Sequence, residues 1–177
     1  MIVVLTSKLT TQLGVILTSK NDHLINSFGI RHSNIQITLK GIKMTELEKA
    51  IDLVSKFLEA SMEPNPELAA TYMDDDVKII FTGRREMANA QQITAFNKSR
   101  YEWVKKSIKQ YDAMQKEDHC VVYSIGFLYG QWQDGTPFNG NRYTDRFEVR
   151  QGKITKMDVL NDSAEWILTP EINREAE

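Results

Sequence analysis

The sequence has one cysteine and three histidines among its 177 residues, which limits the kinds of site it can build. Cys120 has no partner for an intrachain disulfide, and the histidines follow no His-x-x-x-His spacing. A zinc site made of cysteine and histidine therefore has little support, and we predict neither a metal nor another cofactor. A single cysteine is also typical of a reducing compartment, so we expect a cytoplasmic protein.

Long apolar runs and a marked excess of either charge are lacking as well. No stretch approaches the roughly 20 apolar residues that a membrane-spanning helix needs. The first residues, MIVVLTSKLTTQLGVILTSK, do not have the charged start and continuous apolar stretch of a secretory signal. A net charge of −2 gives no electrostatic reason to bind nucleic acid or an anionic membrane. We expect one globular domain with neither kind of partner.

Composition changes at residue 44. Residues 1–43 are rich in Thr, Ser, Asn, Ile and Leu and have no sustained periodicity. We predict a poorly packed N-terminal extension there, with an additional hairpin as the alternative. The domain itself is expected to cover residues 44–168. Residues 169–177, which end in NREAE, are predicted to be a frayed tail.

A strong helix start follows directly after Met44. Thr45 and Glu48 match a capping box, and apolar residues then recur at helical spacing as far as Met62. An Asn-Pro pair begins a short second helix, predicted over 67–73.

A third helix is predicted over about 88–107. Three arginines, Arg84, Arg85 and Arg100, flank it or lie on it. They could hold an anionic ligand group, although solvated charges are the commoner explanation. The acidic run 74–76 lacks the spaced ligands and the glycine of a calcium loop, so we expect a solvated turn.

The remainder of the chain predicts mostly strands. They cover 108–116, 119–132, 137–150 and 153–161, and a short helical turn follows at 163–168. Both faces of the strand around 121–131 are largely apolar, one bulky and one small. Both are therefore expected to be covered, one by the helices and the other by a second subunit in a homodimer.

One residue breaks the pattern of its strand. Between residues 142 and 149, one face carries Arg142, Thr144, Arg146 and Glu148, and the other carries Tyr143, Asp145, Phe147 and Val149. Asp145 thus lies on an otherwise apolar face. Burial of a carboxylate is costly unless it is paired or hydrogen-bonded. Asp145 is therefore the best functional lead, and the alternative is a structural bond to a backbone N–H, a tyrosine or an arginine of the third helix.

The stretch 145–166, DRFEVRQGKITKMDVLNDSAEW, resembles the SnoaL-like domains of the nuclear-transport-factor-2-like superfamily. The first helix and the strand 77–81 extend the likeness over residues 44–168. The resemblance implies an α+β cone, in which a strongly curved, mostly antiparallel sheet wraps helices around a pocket at its open end. It also implies dimers that pack through the outer face of the sheet.

The resemblance does not identify a reaction. SnoaL-type cyclases carry His-Trp-Asp on the last strand, where this chain has Met157, Asp158 and Val159. The aspartate and tyrosine of ketosteroid isomerases are missing from the first strand and the first helix. Epoxide hydrolases use an Arg-x-Asp pair on a central strand, whereas residues 121–129 carry no charge. Two hypotheses remain: a cofactor-independent isomerase, dehydratase or hydrolase using acid/base chemistry, or a non-catalytic ligand-binding or accessory module of the same fold.

The expected pocket follows from the inner faces of these strands. We predict that Asp145 moves a proton and that Tyr143 or Asn161 positions a substrate oxygen. The predicted contacts to a small apolar or carbonyl-type ligand are Tyr101, Trp103, Tyr111, Tyr123, Phe147, Met157 and Val159. Desolvation would raise the pKa of Asp145 in such a pocket, which suits a general acid or base near neutral pH.

Overall fold

The computed structural model describes residues 44–168, so the predictions for 1–43 and 169–177 lie outside the described residues. Within this range the chain forms four helices and six strands. In chain order they are α1 Glu46–Met62, α2 Pro66–Ala70, β1 Met73–Phe81, β2 Arg85–Met87, α3 Ala90–Arg100, β3 Tyr101–Gln115, β4 Cys120–Trp132, β5 Pro137–Arg150, β6 Lys153–Asn161 and α4 Ser163–Leu168. The predicted α+β class is confirmed.

The described strands form one curved sheet in the order β2-β1-β6-β5-β4-β3. Only the β1–β6 pair is parallel among the strand pairs of residues 44–168. The predicted hairpin from Pro137 to Asn161 is confirmed, with a turn at Gln151 and Gly152 where both residues have positive φ. These are the backbone angles of the tight turn that a two-residue hairpin needs.

Helix α1 fills the concave face of the sheet. The predicted capping box is present: the Thr45 hydroxyl accepts from the Glu48 N–H at 3.2 Å, and Glu48 accepts from the Thr45 N–H at 2.7 Å. The helix buries Val54, Phe57 and Leu58. Phe57 meets the Phe147 ring of β5 edge-on, with ring centres 5.8 Å apart. The hydrophobic core therefore lies between α1 and the inner sheet face.

The third helix is shorter than predicted. It ends at Arg100, and the chain continues at once as β3, so Trp103 and Val104 lie on a strand. Spacings of three and four residues in this region fit a helix, but pairing along β4 prevails. The turn predicted for the acidic run 74–76 was also wrong, because these residues lie within β1, where their side chains are half-buried or exposed. Helix α2 is shorter too, since Met73 already begins β1.

Two glycines of β4 explain the strong curvature of the sheet. A Cβ atom on Gly126 would lie 2.2 Å from the Ser107 carbonyl oxygen, and one on Gly130 would lie 2.3 Å from that of Trp103. Gly126 pairs with Ile108, where the register of β3 shifts, and Gly130 pairs with Val104, close to a second shift between Tyr101 and Trp103. The backbones approach each other at a distance that no side chain permits. The smaller row of β4 therefore faces inward, and the bulky row faces outward.

Candidate functional site

Asp145 lies at the centre of the inner sheet face and is fully buried. Its neighbours in the sheet are Ser124 of β4 and Val159 of β6. The alternation predicted for this strand is confirmed: Tyr143, Asp145, Phe147 and Val149 are buried, while the intervening polar residues are half-buried or exposed.

The partner of Asp145 is Lys106 of β3. The Lys106 ammonium donates a hydrogen bond to Oδ2 of Asp145 and forms an ion pair with it. The same nitrogen lies 4.0 Å from the centre of the Tyr143 ring, in a cation–π contact. The Lys106 side chain keeps 17% of its surface exposed, whereas that of Asp145 keeps none. A buried acid is thus held by a cation that still reaches solvent.

The two oxygens of Asp145 differ in their environment. Oδ2 accepts from Lys106, but Oδ1 has no hydrogen-bond partner among residues 44–168. Burial raises the pKa of this carboxyl, while the charge and the hydrogen bond of Lys106 oppose that rise. Loss of Lys106 would therefore leave a buried acid without a cation or a donor.

Two phenols lie beside the pair. The Tyr143 hydroxyl is 2.9 Å from Oγ of Ser124, and burial raises the pKa of Tyr143 to about 12. Burial also raises the pKa of Tyr111, which pairs with Ser124 across β3 and β4. Both phenols consequently keep their protons at neutral pH. The Tyr111 hydroxyl is buried without a hydrogen-bond partner among residues 44–168.

A cavity of about 70 Å³ opens in front of Lys106, between α1, α3 and the inner sheet face. Most of its wall is apolar, and its polar members include Lys106, Tyr143 and Asn161. A second cavity of about 220 Å³ adjoins it and shares the wall formed by Met62 and Val104. Asp145 lines neither cavity, because Lys106 and Tyr143 lie between it and the open space.

Some of the predicted residues gather around these cavities. The first cavity is lined by Tyr101, Tyr143, Met157, Val159 and Asn161, and Trp103 lines the second. Asn161 lies opposite Tyr143 in the β5–β6 pairing, and its side-chain oxygen accepts from the Ser163 N–H at 3.1 Å. Whether these residues contact a ligand stays a prediction.

Other predicted residues lie elsewhere. Phe147 is fully buried against α1, and Tyr111 lies behind the cavity wall in the row of Asp145 and Ser124. Tyr123 is on the outer sheet face, opposite Arg146 in the β4–β5 pairing, because the bulky row of β4 faces outward. Among the described residues Tyr123 therefore has no place in the wall of either cavity.

A buried polar cluster that the sequence did not predict joins α4 to the mouth of the cone. The Tyr101 hydroxyl donates to Oγ of Ser163 at 3.0 Å, and the Asn141 amide approaches the same oxygen at 3.5 Å. Ser163 and Asn141 are fully buried, and the Asn141 side-chain oxygen has no partner within residues 44–168. These contacts hold the start of α4 next to Asn161.

Solved structures with the same fold exist, although no protein-family model and no curated protein matches the sequence. A nuclear-transport-factor-2-like protein of unknown function from Burkholderia pseudomallei is 11% identical, with a TM-score of 0.59 over 71% of this chain and 97% of that one. A candidate SnoaL-like polyketide cyclase from Jannaschia is 13% identical, with a TM-score of 0.56 over 71% and 93% of the two chains. TerC, crystallised with polyporic acid, is 14% identical, with a TM-score of 0.55 over 68% and 96%.

The chain therefore has the nuclear-transport-factor-2-like fold, which confirms the fold that the resemblance implied. Identities of this size show the fold and leave the reaction open. No helix in the described range is long and apolar enough to cross a membrane. Between residues 44 and 168, no three or more His, Cys, Asp and Glu side chains gather where they could hold a metal ion.

Proposed function

We propose that the protein binds a small, mainly apolar molecule in the cone and that the Lys106 ammonium receives an oxygen acceptor of that molecule. The supporting observation is the position of the Lys106–Asp145 pair. The acid is fully buried, while the ammonium borders a cavity with largely apolar walls. An ammonium has three N–H donors and Asp145 accepts one, so donors remain for a ligand oxygen.

The apolar walls of the two cavities indicate the chemical character of the remainder of the ligand. The first cavity is narrow and polar at its Lys106 side, and the adjoining second cavity is about three times larger. A ligand with a carbonyl-type group at one end and an apolar body would place the carbonyl near Lys106 and the body in the larger cavity. Small-molecule sites commonly combine mostly hydrophobic walls with a few polar groups that orient the ligand.

A second candidate function is cofactor-independent acid/base catalysis on the same ligand. The observation that favours it is the fully buried Asp145 carboxyl, whose pKa is raised by burial and which contacts the cavity-lining Lys106, because perturbed titratable groups are common at catalytic sites. Lys106 would then be the group that touches the substrate oxygen. Asp145 would hold the Lys106 side chain in position and stabilise its positive charge. This differs from the sequence-based prediction, in which Asp145 itself meets the substrate.

The binding proposal is tested with acetophenone and α-methylstyrene, which differ only in a carbonyl oxygen replaced by a methylene. A charge-assisted hydrogen bond contributes about 1.5–3 kcal/mol, so we expect the wild type to bind acetophenone at least about tenfold more tightly by calorimetry. The double variant K106M/D145N removes both charges together and should lose this preference. Lys109→Met, an exposed lysine of the same strand, should keep it.

Equal affinity of the wild type for both compounds would contradict the assignment of Lys106, as would a preference that survives in the double variant.

Asp145→Asn separates the two candidate functions once a substrate is found. An enzyme should lose turnover while retaining affinity, whereas a binding protein should lose affinity alone or change little.

The outer sheet face supports a homodimer as part of this proposal. Phe127 is 37% exposed and Leu160 is 60% exposed, and both line one shallow depression together with Ile125. Exposed apolar surface of this kind often marks a protein interface. Phe127→Glu should convert the dimer to a monomer in sedimentation experiments at micromolar concentration. A wild-type protein that sediments as a monomer there would rule the dimer out.

A further inference from the structure

An open basin lies at the mouth of the cone, between the β1–β2 turn and the end of α3. It measures about 490 Å³, and Arg85, Phe96, Arg100 and Asn161 contribute to its wall. We call it the arginine basin. It continues into the first cavity, since Phe96, Arg100 and Asn161 line both.

Both arginines of the basin lie on one aromatic ring. The guanidinium carbons of Arg85 and Arg100 are 4.5 Å and 5.3 Å from the centre of the Phe96 ring. Phe96 is itself fixed by Phe81, whose ring meets it edge-on at 5.5 Å. Cation–π contacts of this kind hold a guanidinium in a defined place and leave its N–H groups available.

Neither basin arginine has an ion-pair partner within residues 44–168. The arginines of β5 behave differently, since Arg142, Arg146 and Arg150 all pair with carboxylates. A cation in the last turn of α3 stabilises the helix dipole, which accounts for Arg100. The dipole does not account for Arg85, which comes from β2 and lies on the same ring.

We propose that the arginine basin binds an anionic oxygen group, a carboxylate or a phosphate, and that this group belongs to the molecule whose apolar body enters the cone. The second part rests on the proposed function. Two guanidinium groups favour planar, multiply hydrogen-bonded recognition of such anions. The hydroxyls of Thr82 and Ser99 donate to backbone carbonyls, so the arginines are the principal donors of the basin.

The anion site is tested directly with inorganic phosphate and the full-length chain. Arginine side-chain N–H signals are followed in ¹H–¹⁵N spectra at constant ionic strength. We expect the signals of Arg85 and Arg100 to shift saturably, and the signal of Arg84 to change little. Arg84 follows Gly83 in the same turn, so it is a matched control for non-specific attraction. Equal, non-saturating shifts of all three signals would overturn the proposal.

The link to the cone is tested with 4-acetylbenzoate and 4-acetylbenzamide, which differ in the charge of one end. The wild type should bind the carboxylate about tenfold more tightly than the amide. Arg85→Gln and Arg100→Gln should each reduce this ratio to about threefold or less, while Arg84→Gln leaves it unchanged. A ratio near one in the wild type, or a full ratio in both basin variants, would refute the link.

The two proposals fail in different ways. If the arginine basin is correct and the Lys106 assignment is wrong, phosphate still shifts Arg85 and Arg100 while the K106M/D145N variant binds acetophenone as the wild type does. If Lys106 is correct and the basin is wrong, acetophenone is preferred over α-methylstyrene but phosphate moves no basin signal.

Discussion

Removing Lys106 alone should destabilise the protein more than removing both charges of the Lys106–Asp145 pair, because it leaves a buried carboxylate unpaired. Lys106→Met leaves Asp145 fully buried, with neither a cation nor a hydrogen-bond donor among the described residues. Asp145→Asn leaves an amide of nearly the same volume, whose oxygen still accepts from Lys106. The lysine in that variant keeps its contact with the Tyr143 ring and its access to the cavity.

These environments set the magnitudes. Breaking a buried ion pair from one side costs about 3–5 kcal/mol, and we expect this for Lys106→Met because Asp145 is completely buried. We expect about 1–2 kcal/mol for Asp145→Asn, since a hydrogen bond to a charged group is weakened but not lost. The double variant should cost about 2–4 kcal/mol, less than Lys106→Met, because it loses the pair's contacts but leaves no buried charge unpaired. The coupling energy is then about 2–3 kcal/mol in favour of the pair.

Urea unfolding followed by tryptophan fluorescence measures all four proteins of this cycle. Trp103, Trp132 and Trp166 lie on β3, β4 and α4, so the signal reports on separate elements. For a protein of this size, each kcal/mol corresponds to roughly 2–4 °C in the thermal midpoint, which gives an independent check. Additivity of the two single substitutions within about 0.5 kcal/mol would refute the reasoning, because it would show that the side chains do not interact.

Three further outcomes follow from the same geometry. The pKa of Asp145 is raised in the folded state, so between about pH 4 and the folded pKa the folded chain binds more protons than the unfolded chain, and the free energy of unfolding falls as pH rises. Asp145→Asn should abolish this fall when urea unfolding is measured as a function of pH. Tyr143→Phe keeps the ring beneath Lys106 and should change acetophenone affinity less than about threefold; a loss as large as that of K106M/D145N would instead assign the oxygen to the phenol. Gly130→Ala forces a Cβ against the Trp103 carbonyl and should lower the free energy of unfolding in urea by more than about 2 kcal/mol. In the control Gly152→Ala the added Cβ meets no atom, so only the strain of the positive φ at that position destabilises the protein.

Local patterns in the sequence were sufficient for much of the fold. The capping box before α1 and the alternation along β5 each involve residues close in the chain, and both are present. The end of α3 was not predictable in this way. Ile93, Phe96 and Tyr101 fit a helical stripe, whereas the strand that begins at Tyr101 depends on pairing with β4, about thirty residues later.

The misplaced end of α3 also explains why Lys106 was not predicted as a site residue. Within a helix Lys106 is an unremarkable surface cation, but on a strand it alternates with Val104 and Ile108 and is the lone charge on their face. The same rule that selects Asp145 would then select Lys106. The facing of Tyr123 depended on a second non-local feature, the close approach of β3 to the glycines of β4.

The residue that stands out in the sequence is an acid, but the charge presented to the cavity is positive. A buried carboxylate requires a cation, and a lysine is long enough to satisfy it from the neighbouring wall while remaining 17% exposed. Asp145 thereby fixes the place of Lys106, while it is itself fully buried and lines neither cavity. With Arg85 and Arg100 at the mouth, the charged residues that line the basin and the first cavity are all cationic. Under the proposed function, such a site would favour molecules with oxygen acceptors over cations, because an ammonium ligand would meet like charges in the basin and in the first cavity.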